Sequence, residues 1–279
     1  MENILIALDA TNIDMPALDF ACYLGRLTRS KITGVFLENL VADEKPAFKR
    51  MHGVTFVDWQ VDETDPAFKE KKELIENNIA LFTAACEKRG VQSSIHRDER
   101  MPASEIIAES RFADLLVVDA ATSFKKVFEG SPTHFVKDIL KDAECPVIIA
   151  PESFEGVDEI VFTYDGSASS IFAMKQFTYL FTELDDKKVT VFHVNENGEW
   201  NADEKRRISR WLQNHYSVIG FQTPEGDASY EMLAYLLRKK NVFIVMGAYG
   251  RTAFSRYFKH SHADILLKTI TQPIFIAHH

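Results

Sequence analysis

The run Val242-Phe243-Ile244-Val245-Met246-Gly247-Ala248-Tyr249-Gly250-Arg251 decides how the chain is read. Val242 to Met246 is uninterrupted and apolar, the mark of a short parallel strand buried on both faces of its sheet. Gly247 and Gly250 follow at once and free the backbone for tight turns and for close approach to a ligand. A basic stretch then leads to His260-Ser261-His262 and an apolar helical segment, Ala263 to Thr269. Ser261 is placed to cap that segment, and the free N–H groups of a helix start attract an anion. Strand end, glycines and helix start would converge on one crevice of the phosphate-binding kind.

A glycine pair after a strand is common loop punctuation, so the reading rests on a second motif upstream. Ile160 to Tyr164 is another buried-type strand; it ends in Asp165-Gly166-Ser167, ahead of a helical pattern carrying Ile171, Met174, Phe177 and Phe181. A carboxylate at the end of one parallel strand and a glycine loop at the end of another supply a ribose acceptor and a phosphate cradle. Asp165 can serve a ligand in this way or can instead cap the following helix together with Ser167.

Working outward, the same order of elements occurs twice. Ile4 to Leu8 ends in Asp9-Ala10-Thr11, an echo of Asp165-Gly166-Ser167, and Val118 lies 28 residues before Pro146 as Met246 lies 27 before Pro273. Strand–helix alternation with short turns predicts a parallel sheet covered on both faces. Predicted strands in the first half are Ile4–Leu8, Ile32–Leu37, Gln92–His96, Leu115–Val118 and Cys145–Ala150, with helices from Pro16 to about Arg29, Asp65 to Arg89 and Ala103 to Arg111. Glu38 to about Asp65 has no counterpart in the second half; its Met51, Phe56 and Trp59 predict an ordered insertion, with a hairpin over Val54 to Val61. Pro151 to Asp158 reads as the linker. The second half repeats with strands at Ile160, Val189–Val194, Val218–Gln222, Val242 and the run ending at Ala277, and with helices at Glu204–Tyr216 and Ser229–Arg238.

At 279 residues the chain accommodates two domains, and 46% apolar with 26% charged residues is an ordinary globular balance. A net charge of −9 disfavours nucleic acid and acidic membrane as partners. No apolar run approaches the ~20 residues of a membrane span, and no signal stretch opens the chain, so a cytoplasmic protein is expected. The three scattered cysteines, Cys22, Cys86 and Cys145, suit a reducing compartment; Cys22 and Cys86 fall on apolar helix faces, as buried thiols.

On the Asp-Gly-Ser and Gly-x-x-Gly-Arg motifs the chain resembles the universal stress proteins, in their tandem form. The family's nucleotide motif is Gly, two residues, Gly, nine residues, Gly, then Ser or Thr. Gly247, Gly250 and Ser261 match it with Arg251 to Lys259 in the gap, whereas His260 stands in place of the third glycine. The resemblance implies an α/β fold of two tandem, doubly wound, five-stranded parallel-sheet domains of sheet order 3-2-1-4-5, adenine nucleotide alpha hydrolase-like and related by a pseudo-twofold axis. The domains would span 1–151, with the insertion and a degenerate motif, and 158–279. They are expected to pack through their final strands, whose apolar edges would otherwise be exposed.

The resemblance further implies a nucleotide site at Thr163, Tyr164, Asp165, Val194, Met246, Gly247, Gly250, Arg251, His260, Ser261, His262 and Ala263. Its ligand would be an adenine nucleotide (ATP, ADP or AMP) with Mg²⁺ as companion cation. In the first half Asp119 and Glu129 put negative charge where phosphate would lie, and His134 takes the place of Ser261. No catalytic residues and no protein-held metal are expected, because His260, His262, His278 and His279 come without a Cys-x-x-Cys or His-Glu-x-x-His partner. The function implied is a cytoplasmic, nucleotide-binding stress-response or regulatory protein with a protein partner, a second copy of the chain being one candidate. Its rivals are an interaction module with no working nucleotide site and a weak ATPase.

Overall fold

The computed structural model describes residues 1–51, 54–125, 127–195, 197–247 and 268–277. The central strands form where apolar runs are shielded on both faces. The first half supplies β1 (Asn3–Asp9), β2 (Lys31–Leu37), β3 (Glu44–Met51), β4 (Val54–Val61), β5 (Ser93–Asp98), β6 (Leu115–Val118) and β7 (Val147–Ile149). The second supplies β8 (Glu159–Tyr164), β9 (Lys188–His193), β10 (Val218–Gln222), β11 (Val242–Gly247) and β12 (Ile274–Ala277). Ten of these make one sheet in the order β10-β9-β8-β11-β12-β7-β6-β1-β2-β5. Each five-stranded half therefore has the expected order 3-2-1-4-5.

All neighbours in the large sheet run parallel except β12 and β7, which join the halves antiparallel. Ile274 pairs with Ile149, Phe275 with Ile148 and Ile276 with Val147. Val147 and Ile274 each follow a proline in their own half, so the pairs flanking Ile148–Phe275 are reciprocal. That reciprocity is what a local twofold axis demands. The final apolar strands thus cover each other rather than facing water.

Seven helices flank the sheet among the described residues: α1 (Met15–Thr28), α2 (Pro66–Lys88), α3 (Pro102–Ser110), α4 (His134–Asp142), α5 (Ala168–Leu180), α6 (Ala202–Leu212) and α7 (Ala228–Leu236). Buried residues of α1, α2, α5 and α6 pack on one face, and those of α3, α4 and α7 on the other. Their starts follow capping chemistry: Asp14, Asp65, Thr133, Ser167, Asn201 and Asp227 each accept from a backbone N–H in the first turn. Cys22 and Cys86 are fully buried, with their sulfurs 3.9 Å apart.

Three expectations are corrected. Val54 to Val61 is one strand, not a hairpin; it pairs antiparallel with Glu44 to Met51, Phe48 opposite Val57 and Pro46 opposite Trp59. No glycine or proline interrupts that run, so nothing in it favours a turn. Helix α6 ends at Leu212 rather than Tyr216, whose side chain is buried with its hydroxyl 3.0 Å from Thr178 Oγ1. Helix α4, absent from the sequence reading, carries Phe135, Val136, Ile139 and Leu140 on one buried face.

One buried carboxylate links strand ends in the second half. Glu159, 8% exposed, accepts from Thr190 Oγ1 at 2.5 Å and Lys239 Nζ at 2.7 Å, with Lys188 Nζ at 3.1 Å. Burial works against its charge, but Lys239, Thr190 and Lys188 together outweigh burial and hold the carboxyl below its ordinary value of 4.5. Its contribution to stability is therefore present above pH 4.5 and lost as pH falls through the lower folded value. Glu159→Gln is expected to cost about 2 kcal/mol at neutral pH, the scale of hydrogen bonds to a charged group. Urea denaturation at pH 7 and pH 3.5 checks it: the difference between the two proteins should shrink at the lower pH, and a constant difference would refute the assignment.

Candidate functional site

The sheet order reverses at β8, whose chain neighbour β9 lies on one side while β11 lies on the other. A crevice therefore opens at the carboxyl ends of β8 and β11, the place where open α/β sheets take ligands. Thr163, 7% exposed, donates from Oγ1 to Val245 O at 3.1 Å and ties the two strand ends together. Half-buried Asp165 accepts from Ser167 N at 2.9 Å through Oδ1, and Gly166 between them has φ +82°. Ser167 is the cap of α5, accepting from Ser170 N at 3.2 Å. Asp165 thus shapes the turn and leaves the capping to Ser167; its Oδ2 makes no bond among the described residues.

Gly247 closes β11 in a tight place. A Cβ there would lie 2.8 Å from both Ser169 C and Ser170 N, so the strand end passes directly beneath the first turn of α5. Only glycine allows that approach, and the contact fixes the α5 N-terminus against the crevice. Val194 and Met246 are buried in the cluster on the α7 face with Val161 and Ile244. Thr163, alternating with Phe162 and Tyr164, points to that same face. On this face a cleft of ≈ 650 Å³ opens one strand further out, with Phe192, Thr223, Tyr235 and Arg238 in its lining.

Tyr164 sits differently: its ring lies on the opposite face, stacked on Trp200 at 5.4 Å and 12°. His193 packs beside both rings, and its Nδ1 is 2.9 Å from Tyr164 O. The structure thus gathers Thr163, Asp165, Val194, Met246 and Gly247 at one set of strand ends and leaves to Tyr164 only its backbone. Gly250, Arg251, His260, Ser261, His262 and Ala263 lie outside the described residues. Sequence reasoning missed Trp200 and His193, which anchor the end of β8, and Ser169–Ser170, which make Gly247 obligatory. No motif marks them, since each is brought in by the fold.

The corresponding crevice of the first half has other chemistry. Asp9 Oδ1 accepts from Thr11 N at 2.8 Å and Thr11 Oγ1 at 2.7 Å, the same local turn as at Asp165. Burial and the nearby Asp14 push the Asp119 carboxyl above its ordinary range. Glu129 pairs with Lys125 Nζ at 2.8 Å and accepts from Ser123 Oγ at 2.6 Å, which holds it low. The cap of α4 is Thr133, one residue before His134, because its hydroxyl accepts from Val136 N.

No protein-family model matches the chain, and no curated protein matches it. Solved structures do. A universal stress protein from Archaeoglobus fulgidus DSM 4304 superposes with a TM-score of 0.69 at 18% identity, over 99% of this chain and 98% of that one. A putative universal stress protein from Pseudomonas aeruginosa UCBPP-PA14 gives 0.61 at 14% identity, over 100% and 93%. A functionally unknown protein from Pseudomonas aeruginosa PAO1 gives 0.59 at 14%, over 100% and 92%. The chain has the universal stress protein fold from end to end. Among the described residues no helix is long and apolar enough to cross a membrane.

Proposed function

We propose that this chain is a tandem universal stress protein, with domains at 1–151 and 158–279, whose second domain binds an adenine nucleotide in the cytoplasm. The observation that carries the reading is Asp165, held by its own turn at the sheet's switch point with one carboxylate oxygen unengaged among the described residues, beside the Gly247 strand end. Asp165 takes the ribose, Thr163, Val194 and Met246 with the backbone of Tyr164 form the base-side wall, and Gly247, Gly250, Arg251, His260, Ser261, His262 and Ala263 receive the phosphates. Mg²⁺ accompanies a di- or triphosphate. With His260 where the family has a third glycine, its side chain competes for the terminal phosphate's volume, so AMP or ADP binds better than ATP. The mechanism is occupancy: the bound nucleotide shifts the population of the loop and with it the choice of protein partner.

Calorimetric titration with AMP tests this. Asp165→Ala should weaken binding at least tenfold while Asp119→Asn leaves it unchanged; equal losses would place the ligand in the wrong half. A second reading, an interaction module, has its own observation in the β3–β4 hairpin, where Phe48, Val57 and Trp59 share one face and are 79%, 51% and 60% exposed. Wild-type protein that binds no adenine nucleotide yet needs this face for partner capture would favour it. Release of phosphate from ATP, abolished with Asp165→Ala, would favour the weak ATPase.

A further inference from the structure

A cluster far from the β8–β11 crevice gathers metal-ligand chemistry that no sequence motif announces. His96 stands on β5, the outermost strand of the first half, and Glu105 and Glu109 stand one turn apart on α3, the helix that follows β5 in the chain. One donor atom from each of the three lies within 4.8 Å of the others. His96 Nε2 is 3.8 Å from Glu105 Oε1, and His96 Nδ1 is 3.9 Å from Glu109 Oε2. All three side chains are half-buried, at 34%, 18% and 32% exposure, so water does not freely screen them.

As they stand, these groups are poorly matched to one another. Two carboxylates at i and i+4 on one helix repel. Among the described residues the cation that reaches them is Arg100, 3.7 Å from Glu105 Oε2 but 78% exposed. His96 Nε2 is shut off from solvent and has no hydrogen-bond partner among the described residues. An imidazole nitrogen closed to solvent and unbonded, 3.8 Å from one carboxylate and with a second carboxylate 3.9 Å from the same ring, is an arrangement that a cation would complete.

We propose that His96, Glu105 and Glu109 form a binding site for a divalent first-row transition metal of the zinc type. One imidazole nitrogen and two carboxylate oxygens are borderline donors that suit such ions; Mg²⁺ and Ca²⁺ prefer oxygen-only sets. The charges balance, because two carboxylates offset the ion while histidine stays neutral. Metal–ligand bonds near 2.0–2.2 Å put neighbouring ligand atoms about 3.3 Å apart, so the side chains close by about 1 Å through χ rotations of two helix-surface glutamates. Water fills the remaining position. The ion staples the edge strand β5 to α3, and among the described residues no backbone pairing holds that outer side of β5.

The probe is ZnCl₂ alone, titrated calorimetrically into the full chain after treatment with a chelator. Wild-type protein is expected to show a saturable site that millimolar Mg²⁺ does not displace. His96→Gln, which keeps the shape of the side chain without the ligating imidazole nitrogen, should weaken that site at least tenfold. Glu109→Gln, a change on the helix surface that spares the fold, should do the same, and zinc should raise the thermal midpoint of wild type but of neither variant. Zinc binding undiminished in both variants would assign the ion to other histidines and overturn the proposal, as would the absence of a saturable site in wild type.

Discussion

Replacing Gly247 with valine is expected to destabilise the protein by about 3 kcal/mol, the upper part of the range for overpacking. The atoms a side chain would meet are backbone, Ser169 C and Ser170 N at 2.8 Å, and backbone of a helix start cannot rotate away as a side chain can. Either α5 lifts from the sheet or β11 bends at its end. Both displace Ser167 and Asp165, so adenine-nucleotide binding should vanish with the packing. Gly247→Ala carries the same first carbon and should already shift the urea midpoint clearly. An alanine variant of wild-type stability would show that α5 does not rest on β11 as described.

The larger loss is expected from Phe177→Ala. Phe177 is fully buried on α5 and touches rings from three strands, Phe162 of β8 at 5.9 Å, Phe243 of β11 at 4.9 Å and Phe275 of β12 at 5.3 Å between centroids. Phe181, 4.9 Å away, is the residue that ends this helix as its C-cap. Phe243 in turn meets Phe20 of α1 at 6.1 Å, which carries the aromatic packing across into the first half. Removing the ring leaves a cavity that the sheet beneath cannot collapse to fill, and Phe→Ala in such a site costs about 4 kcal/mol. Against a typical total of about 5–15 kcal/mol, that threatens the second half's fold at physiological temperature. Equilibrium urea unfolding measures it; a loss under 1 kcal/mol would mean that the cluster is not a shared core.

The central strands were legible because they are buried on both faces, so their residues need no polar alternation: β6 and β11 read directly as Leu115–Val118 and Val242–Met246. The twofold join was legible from the same fact, since apolar Val147–Ile149 and Ile274–Ile276 had to be covered by something. The hairpin was misplaced because β3 is rich in charge, Glu44, Lys45, Lys49 and Arg50, and carries Pro46, so only its partner strand signalled strand at all. Helix α4 was hidden because it is only nine residues long and its apolar residues are broken up by Lys137, Asp138, Lys141 and Asp142. In the site, Asp165 could be read from its motif, whereas the reason for Gly247 could not: its constraint comes from Ser169 and Ser170 on α5, far away in sequence. His96, Glu105 and Glu109 share the same kind of invisibility, because only the turn of the chain from β5 back through α3 brings them together.

The central claim is that the second half holds an adenine nucleotide at the β8–β11 crevice. Mass spectrometry of small molecules released from the purified, denatured full chain, paired with titration of the stripped protein by AMP and by ATP, tests it most directly. The account predicts an adenine nucleotide in the released fraction, saturable binding at one site per chain, and tighter binding of AMP than of ATP because His260 stands where the third glycine would be. Stripped, folded protein that binds neither nucleotide, together with a released fraction free of adenine, would contradict it.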